Sequence, residues 1–264
     1  MFPPDGDSHL LATLVLSGSL IVGCKQPAAA QAAPVQVAAA SDLTLAFEEL
    51  GTLFEARTGQ KATFSFAASG ALAKQLSQGA PFDLFAAASS SFVDTTVQAG
   101  ACDGTTKALY ARGHLVAWSK AGGPRLATLA DLRRPDIQHI AIANPEHAPY
   151  GKAAREALTR GGIWNDIASK IVLAENVRQA LQFAQTGNAE VAMVALSLVA
   201  KEQSGSRLVV DSSLHAPIEQ TLVVCRHGKN QAGARAFAEL VASAEGQALL
   251  ERYGFASSAK QAAK

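Results

Sequence analysis

Two serines stand at equivalent places along the chain. Ser41 follows the apolar run Val35 to Ala40, and Ser69 follows the run Ala62 to Ala67; after each, the apolar positions switch to helical spacing. A hydroxyl at a strand-to-helix turn sits beside backbone N–H groups that have no acceptor inside the helix, and the two together can hold an anion without any cationic side chain. The plainer account is that each serine only caps its helix, since Ser is a favoured N-cap residue. For one serine that account is the simpler, and two at successive turns make the ligand reading competitive with it.

No other reactive residue type forms a comparable pattern. Glu146 and His147 are adjacent, and nothing at metal-ligand spacing accompanies them among His114, His139, His215 and His227. Residues Pro145 to Pro149 read instead as a rigid turn that presents the N–H groups following it. Neither serine lies in a Gly-Xaa-Ser-Xaa-Gly motif or has a histidine close in sequence, which disfavours a serine hydrolase. Phosphate-loop and dinucleotide fingerprints are absent. The three cysteines sit at no zinc spacing and are too few for a disulfide scaffold. Arg57, Lys61, Arg133 and Arg134 read most simply as solvated surface. An enzyme would need a titratable group beside the serines, and the candidates for that are Asp42, Glu146 and His147.

The serines must be positioned by the elements around them, and these alternate. After the first strand, Leu43, Ala46, Phe47, Leu50, Leu53 and Phe54 define a helix that Gly59 ends. The strand Ala62 to Ala67 follows, then a helix opened by Ser69 and Gly70, a strand at Asp83 to Ala87 and a helix over Phe92 to Val97. The pattern restarts after Gly113, with strands at His114 to Trp118, Ile140 to Ala143, Ile171 to Ala174 and Val191 to Ala195. Helices at Lys152 to Thr159 and Val177 to Gln185 alternate with them. A strand at Thr221 to Cys225 and two helices close the chain. Strand alternating with helix implies parallel pairing, and in parallel α/β sheets ligands bind at the carboxyl ends of the strands.

Composition bounds the reading further. A chain of 264 residues exceeds what one hydrophobic core usually fills, and 48% apolar residues suffice for two α/β units. A net charge of +1 with no basic block excludes a nucleic-acid binder as the default. Residues Leu10 to Gly23 carry no charge, and at fourteen residues they are too short for a membrane-spanning helix, which needs about 20. They read as the apolar region of a signal peptide, although no Lys or Arg precedes them. Ile21-Val22-Gly23-Cys24 resembles a bacterial lipobox, which makes Cys24 a candidate lipid anchor; cleavage after a small residue between Ala28 and Ala33 is the alternative. Without residues 1 to 23 the chain loses two aspartates and no base, so its charge moves from +1 to +3, a mild bias towards anions. Lys25 to Gln36 reads as a tether. Cys102 and Cys225 would remain in an oxidising compartment, where pairing is open but not dictated by sequence.

Several segments then resemble one family. Val37-Ala38-Ala39-Ala40-Ser41-Asp42-Leu43, Phe66-Ala67-Ala68-Ser69-Gly70-Ala71-Leu72-Ala73, Gly79-Ala80-Pro81-Phe82-Asp83-Leu84-Phe85, Asn144 to Gly151, Ala174-Glu175-Asn176-Val177-Arg178 and Arg252-Tyr253-Gly254-Phe255 are similar, in order, to the molybdate-binding periplasmic proteins of the molybdate ABC transporter, the ModA family. The blocks run over nearly the whole of residues 35 to 255. The resemblance implies an α/β, two-lobed type II periplasmic substrate-binding fold whose chain crosses twice between lobes, with residues 35–113 and 221–257 as lobe I, 114–220 as lobe II, 1–23 as signal peptide, 24–34 as tether and 258–264 as a flexible tail. It also implies a periplasmic protein, lipid-anchored if Cys24 is modified, monomeric, without cofactor or catalysis. Its ligand would be molybdate or tungstate, and its partner the membrane permease of the transporter. Carried over by position, the oxyanion contacts fall on Ser41 and Ser69 through hydroxyl and N–H, and on Tyr150 and Val177 through N–H.

The chain departs from the family pattern at one point. Many members complete the site with a tyrosine hydroxyl from the position that is Ala195 here, so that donor is missing. Tyr150 stands where those members have a small residue, and its phenol either replaces the missing donor or only packs against the hinge. The chemistry of the donor set fits the resemblance: neutral donors suit a fully ionised tetrahedral dianion, whereas a phosphate that keeps a proton would need an acceptor. A receptor for another oxyanion such as sulfate, and an exported enzyme on the same scaffold, remain the alternatives.

Overall fold

The computed structural model describes residues 33–257, so the expected signal segment, Cys24, all but the last two residues of the tether and the whole expected tail lie outside the described residues. Strand β1 (Val35–Ala40) leads through a 3₁₀ turn at Ser41–Leu43 into α1 (Thr44–Thr58). β2 (Ala62–Ala67), α2 (Ser69–Ser77), β3 (Leu84–Ala87) and α3 (Ser90–Gln98) repeat the unit. β4 (Ala108–Gly113) then passes into β5 (Leu115–Ser119), with His114 between them.

The second region runs β6 (Ile140–Ala143), α4 (Pro149–Arg160), the short α5 (Trp164–Ile167), β7 (Ile171–Ala174), α6 (Val177–Thr186), β8 (Val191–Ala195), the short α7 (Leu196–Val199) and β9 (Ser206–Val209). β10 (Ile218–Val224), α8 (Gln231–Ala242), α9 (Ala244–Arg252) and β11 (Ala256–Ser257) complete the fold.

The strands form two sheets, and each sheet is the centre of one lobe. The first has the order β11-β4-β10-β3-β1-β2 and the second β7-β6-β8-β5-β9. β1 pairs parallel with β2 and β3, and β6 parallel with β7 and β8, as the strand-helix alternation requires; the pairings of β10 with β3 and β4, of β11 with β4, and of β5 with β8 and β9 are antiparallel. The chain leaves the first sheet between β4 and β5 and returns between β9 and β10. β10 enters its sheet at Ile218 opposite Gly113, so both crossings lie side by side.

Strands β5, β6 and β8 are buried along their whole length, which is why LVAWS, IAIA and VAMVA read as continuous apolar runs rather than as alternation. In the first lobe Phe47, Phe54, Phe64 and Phe237 meet edge to face and tilted, with centroids 5.4 to 6.0 Å apart, where α1 and α8 pack over one sheet face. Cys102 and Cys225 form a disulfide that ties the segment after α3 to the end of β10, all within the first lobe. The bridge agrees with an oxidising compartment and resolves the pairing that sequence left open. Among the described residues no helix is long and apolar enough to cross a membrane.

Candidate functional site

Four strand ends converge. β1 delivers Ser41, β2 delivers Ser69, the loop after β6 delivers Tyr150 at the start of α4, and β7 delivers Val177 as the first residue of α6. All four line one small cavity, together with Asp42, Ala88, Ala148 and Pro149. The structure therefore brings together every residue that the sequence singled out for the oxyanion. Among the described residues no Lys, Arg or His lines this cavity.

The serines do not cap their helices. Ala40 and Ala68 hold the cap positions, Ser41 and Ser69 are the first residues beyond them, and neither hydroxyl makes a capping bond. The expectation of N-cap serines is thus corrected, and the correction bears on function, because a hydroxyl in a cap bond is already committed. Ser69 is fully buried, and its Oγ accepts a 3.1 Å hydrogen bond from the N–H of Ala88, just past β3. That bond fixes the oxygen and leaves the hydroxyl hydrogen free for an acceptor in the cavity. Ser41 is 3% exposed; its carbonyl accepts from the Thr44 hydroxyl at 2.9 Å, and its own hydroxyl makes no hydrogen bond among the described residues.

The second lobe contributes backbone. Asn176 caps α6 by accepting from the N–H groups of Arg178 and Gln179, both at 3.1 Å, and this leaves the Val177 N–H at the open end of the helix. At α4 the cap residue is Ala148, whose side chain cannot accept, and Pro149 has no N–H; the Tyr150 N–H is the next donor in line. The loop before it is held by Asn144, whose N–H reaches the Ala174 carbonyl at 2.7 Å and whose Oδ1 accepts from Glu146 N–H at 3.0 Å. Glu146 faces Arg155 at 3.9 Å and His147 Nε2 lies 3.2 Å from the Glu175 carbonyl, and neither residue is part of the cavity lining. Among the described residues there is no group of three or more metal-ligating side chains.

The lobes touch directly beside the cavity. The Gly70 N–H of α2 donates to the His147 carbonyl at 2.9 Å, and a Cβ on Gly70 would meet that same carbonyl at 2.9 Å, too close for any side chain. Beneath the cavity lies a buried polar cluster. Asp42, 1% exposed, accepts at Oδ2 from Gln220 Nε2 of β10 at 2.6 Å, and its carbonyl accepts from the Ser197 hydroxyl of α7 at 2.7 Å. Burial pushes the Asp42 carboxyl up to about 7, against the opposing pull of the Gln220 and Tyr150 hydrogen-bonding groups.

The Tyr150 phenol belongs to this cluster. Its hydroxyl lies over Gly113, where any Cβ would overlap it, and faces Asp42 and Gln220 without reaching good hydrogen-bond geometry with either. Burial first, and then the Asp42 charge, raise the phenol well above its usual range. The phenol thus packs against the hinge at Gly113. Ala195 ends β8 and caps α7 outside the cavity lining, so nothing from that position replaces the absent tyrosine.

Sequence reasoning did not find Ala88, Gly113, Ser197 or Gln220. Gln220 carried a signal, as a polar residue inside the apolar strand IEQTLVV, and so did Asn176, which stands directly before a helical pattern.

A two-lobed α/β fold with a donor-lined cavity between the lobes is the architecture of solute receptors, and the comparisons agree. The family model described as "Bacterial extracellular solute-binding protein" matches residues 35–256. The chain is 35% identical to the "Molybdate-binding protein ModA" of Rhodobacter capsulatus over 90% of this chain and 93% of that one. It is 35% identical to the protein of the same name from Azotobacter vinelandii over 94% and 98%. The solved "Azotobacter vinelandii periplasmic molybdate-binding protein" superposes with a TM-score of 0.79 at 28% identity, covering 84% of this chain and 98% of that one. The chain belongs to the bacterial extracellular solute-binding protein family, among its ModA members.

Proposed function

We propose that this protein captures molybdate, and equally tungstate, between its two lobes and delivers it to the permease of an ABC transporter, without catalysing a reaction. The observation that carries this reading is the convergence of Ser41, Ser69, Tyr150 and Val177 on one cavity without a cation, with the Ser69 oxygen held from behind by Ala88. A tetrahedral dianion offers only acceptors, so hydroxyl and N–H hydrogens satisfy it completely, and helix starts add favourable partial charge. A monoprotonated phosphate would bring a donor into a ring of donors and leave one unpaired at a cost of about 1–3 kcal/mol. Sulfate has the right charge but shorter bonds, and is rejected by slack contacts. Tungstate matches molybdate in charge and nearly in size, so the same donors serve both.

On this reading residues 35–113 with 221–257 form one lobe and 114–220 the other, and the ligand drives closure because only the closed form contacts it from both sides. The protein works as a monomer in the periplasm after removal of residues 1–23, and lipidation of Cys24 would hold it at the membrane, with residues 24–34 as the tether. Calorimetric titration with molybdate, tungstate, sulfate and phosphate tests the reading. Tight binding of the first two alone is expected; tight binding of sulfate or phosphate, or of none of the four, would overturn it.

A further inference from the structure

The cluster beneath the cavity joins both lobes and the hinge. Asp42 follows Ser41 in the first lobe, Gln220 lies on hinge strand β10, and Tyr150 and Ser197 come from the second lobe. Three of its buried atoms, Asp42 Oδ1, Tyr150 Oη and Gln220 Oε1, have no hydrogen-bond partner. The Tyr150 hydroxyl faces both of the other side chains.

The surroundings of the carboxyl decide what this cluster needs: Asp42 is 1% exposed, no cation faces it, and its Oδ1 has no hydrogen-bond partner. With Asp42 ionised, an uncompensated negative charge lies in a dry interior with only neutral groups around it. With a proton on Oδ1, the carboxyl is neutral and that oxygen becomes a donor for which the Tyr150 oxygen is an acceptor. The same proton removes a negative charge next to Ser41, where a dianion would sit, and in a low-dielectric site that repulsion is large.

We propose that Asp42 is a proton-carrying positioning residue of the anion site: closing the lobes over the dianion takes up one proton from solvent onto Asp42 Oδ1, and the neutral cluster then locks Ser41, the hinge and α4 together. The inference rests on the anion-capture reading above. The groups that act on the carboxyl are Gln220 from β10, Tyr150 from α4 and its own backbone, none of them a cation. Tyr110 of β4 is buried nearby and senses the Asp42 charge. Arg112 and Glu219, the charged residues next along β4 and β10, face each other at 3.8 Å. When the lobes part, Tyr150 and Ser197 withdraw and water reaches the carboxyl, which then ionises in the ordinary carboxylate range.

Titration calorimetry of the whole mature protein with sodium molybdate, at pH 6 in two buffers of different ionisation enthalpy, reads the proton directly. Uptake close to one proton per anion is expected, with Kd weakening about tenfold between pH 6 and 8, where molybdate itself stays fully ionised. Asp42→Asn should bind with no proton uptake and a Kd that changes less than twofold over the same range. Binding by the unmodified protein without proton uptake, or the same uptake in Asp42→Asn, would overturn the proposal while leaving the capture reading in place. If the variant fails to fold, the measurement on the unmodified protein decides alone. Absence of molybdate binding at every pH would overturn both.

Discussion

On the proposed reading, the two lobes build their halves of the site from different materials. The first lobe offers side chains: Ser41 and Ser69 sit one residue past the cap, with hydroxyls that the helices do not use. The second lobe offers main chain: the N–H groups of Tyr150 and Val177, exposed by a proline at the start of α4 and by an asparagine cap on α6. The difference teaches where the anion's grip can be changed by substitution. A hydroxyl is lost with its residue, whereas an N–H survives any replacement that keeps the backbone in place.

Substitutions sharpen this contrast in a definite order. Ser69→Ala should have the largest effect, about 100-fold weaker molybdate binding, because it deletes a donor to a charged ligand and also orphans the Ala88 N–H. Calorimetry reads the change, and a loss below about threefold would place the anion elsewhere. Gly113→Ala comes next, at about tenfold, since its methyl group would displace the Tyr150 hydroxyl and prevent α4 from seating against the hinge. Tyr150→Phe in the same chain removes the obstructing oxygen and should recover part of the affinity; no recovery would mean that the strain lies elsewhere.

Asn176→Ala should lower stability by about 1 kcal/mol in denaturant unfolding and weaken binding only a few-fold, because the cap orders α6 without touching the ligand. Val177→Ala should leave Kd within twofold, since only its N–H is used; a large loss there would show that the second lobe also works through side chains. The smallest effect on affinity is expected from reducing the Cys102–Cys225 bridge. It lies within the first lobe away from the cavity, so its loss should lower stability by about 2–4 kcal/mol in chemical unfolding while Kd at 25 °C stays within twofold.

The same contrast governs what could be read from the sequence. The strand-helix alternation exposed both serines because side-chain identity and position coincide there. The fold class followed from the same periodicity. β4, β9 and β11 escaped notice: β4 mixes exposed and buried residues in ALYARG, and β9 lies half exposed at a sheet edge, so neither has the apolar run that marked the central strands. β10 starts at Ile218 rather than Thr221 because Glu219 and Gln220 interrupt its apolar pattern while its pairing with β4 continues through them.

The hinge cluster was largely invisible for a different reason. Asp42 and Gln220 are 178 positions apart, and only the double crossing of the chain between lobes brings them to 2.6 Å. The N–H donors of the second lobe have no residue signature of their own; Tyr150 and Val177 were reached through family resemblance rather than through spacing. The serines show the reverse limit, for their types were right and the expected capping role was not.

The central claim is that uncharged hydrogens from both lobes hold the anion. A crystal structure of the protein grown with molybdate tests it most directly. The account predicts one tetrahedral anion in the cavity with oxygens about 2.7–3.1 Å from Ser41 Oγ, Ser69 Oγ and the Tyr150 and Val177 nitrogens, and no Lys or Arg nitrogen in contact. An anion seated against a cationic side chain such as Arg178 in the adjoining cleft, with the serine hydroxyls turned elsewhere, would contradict it.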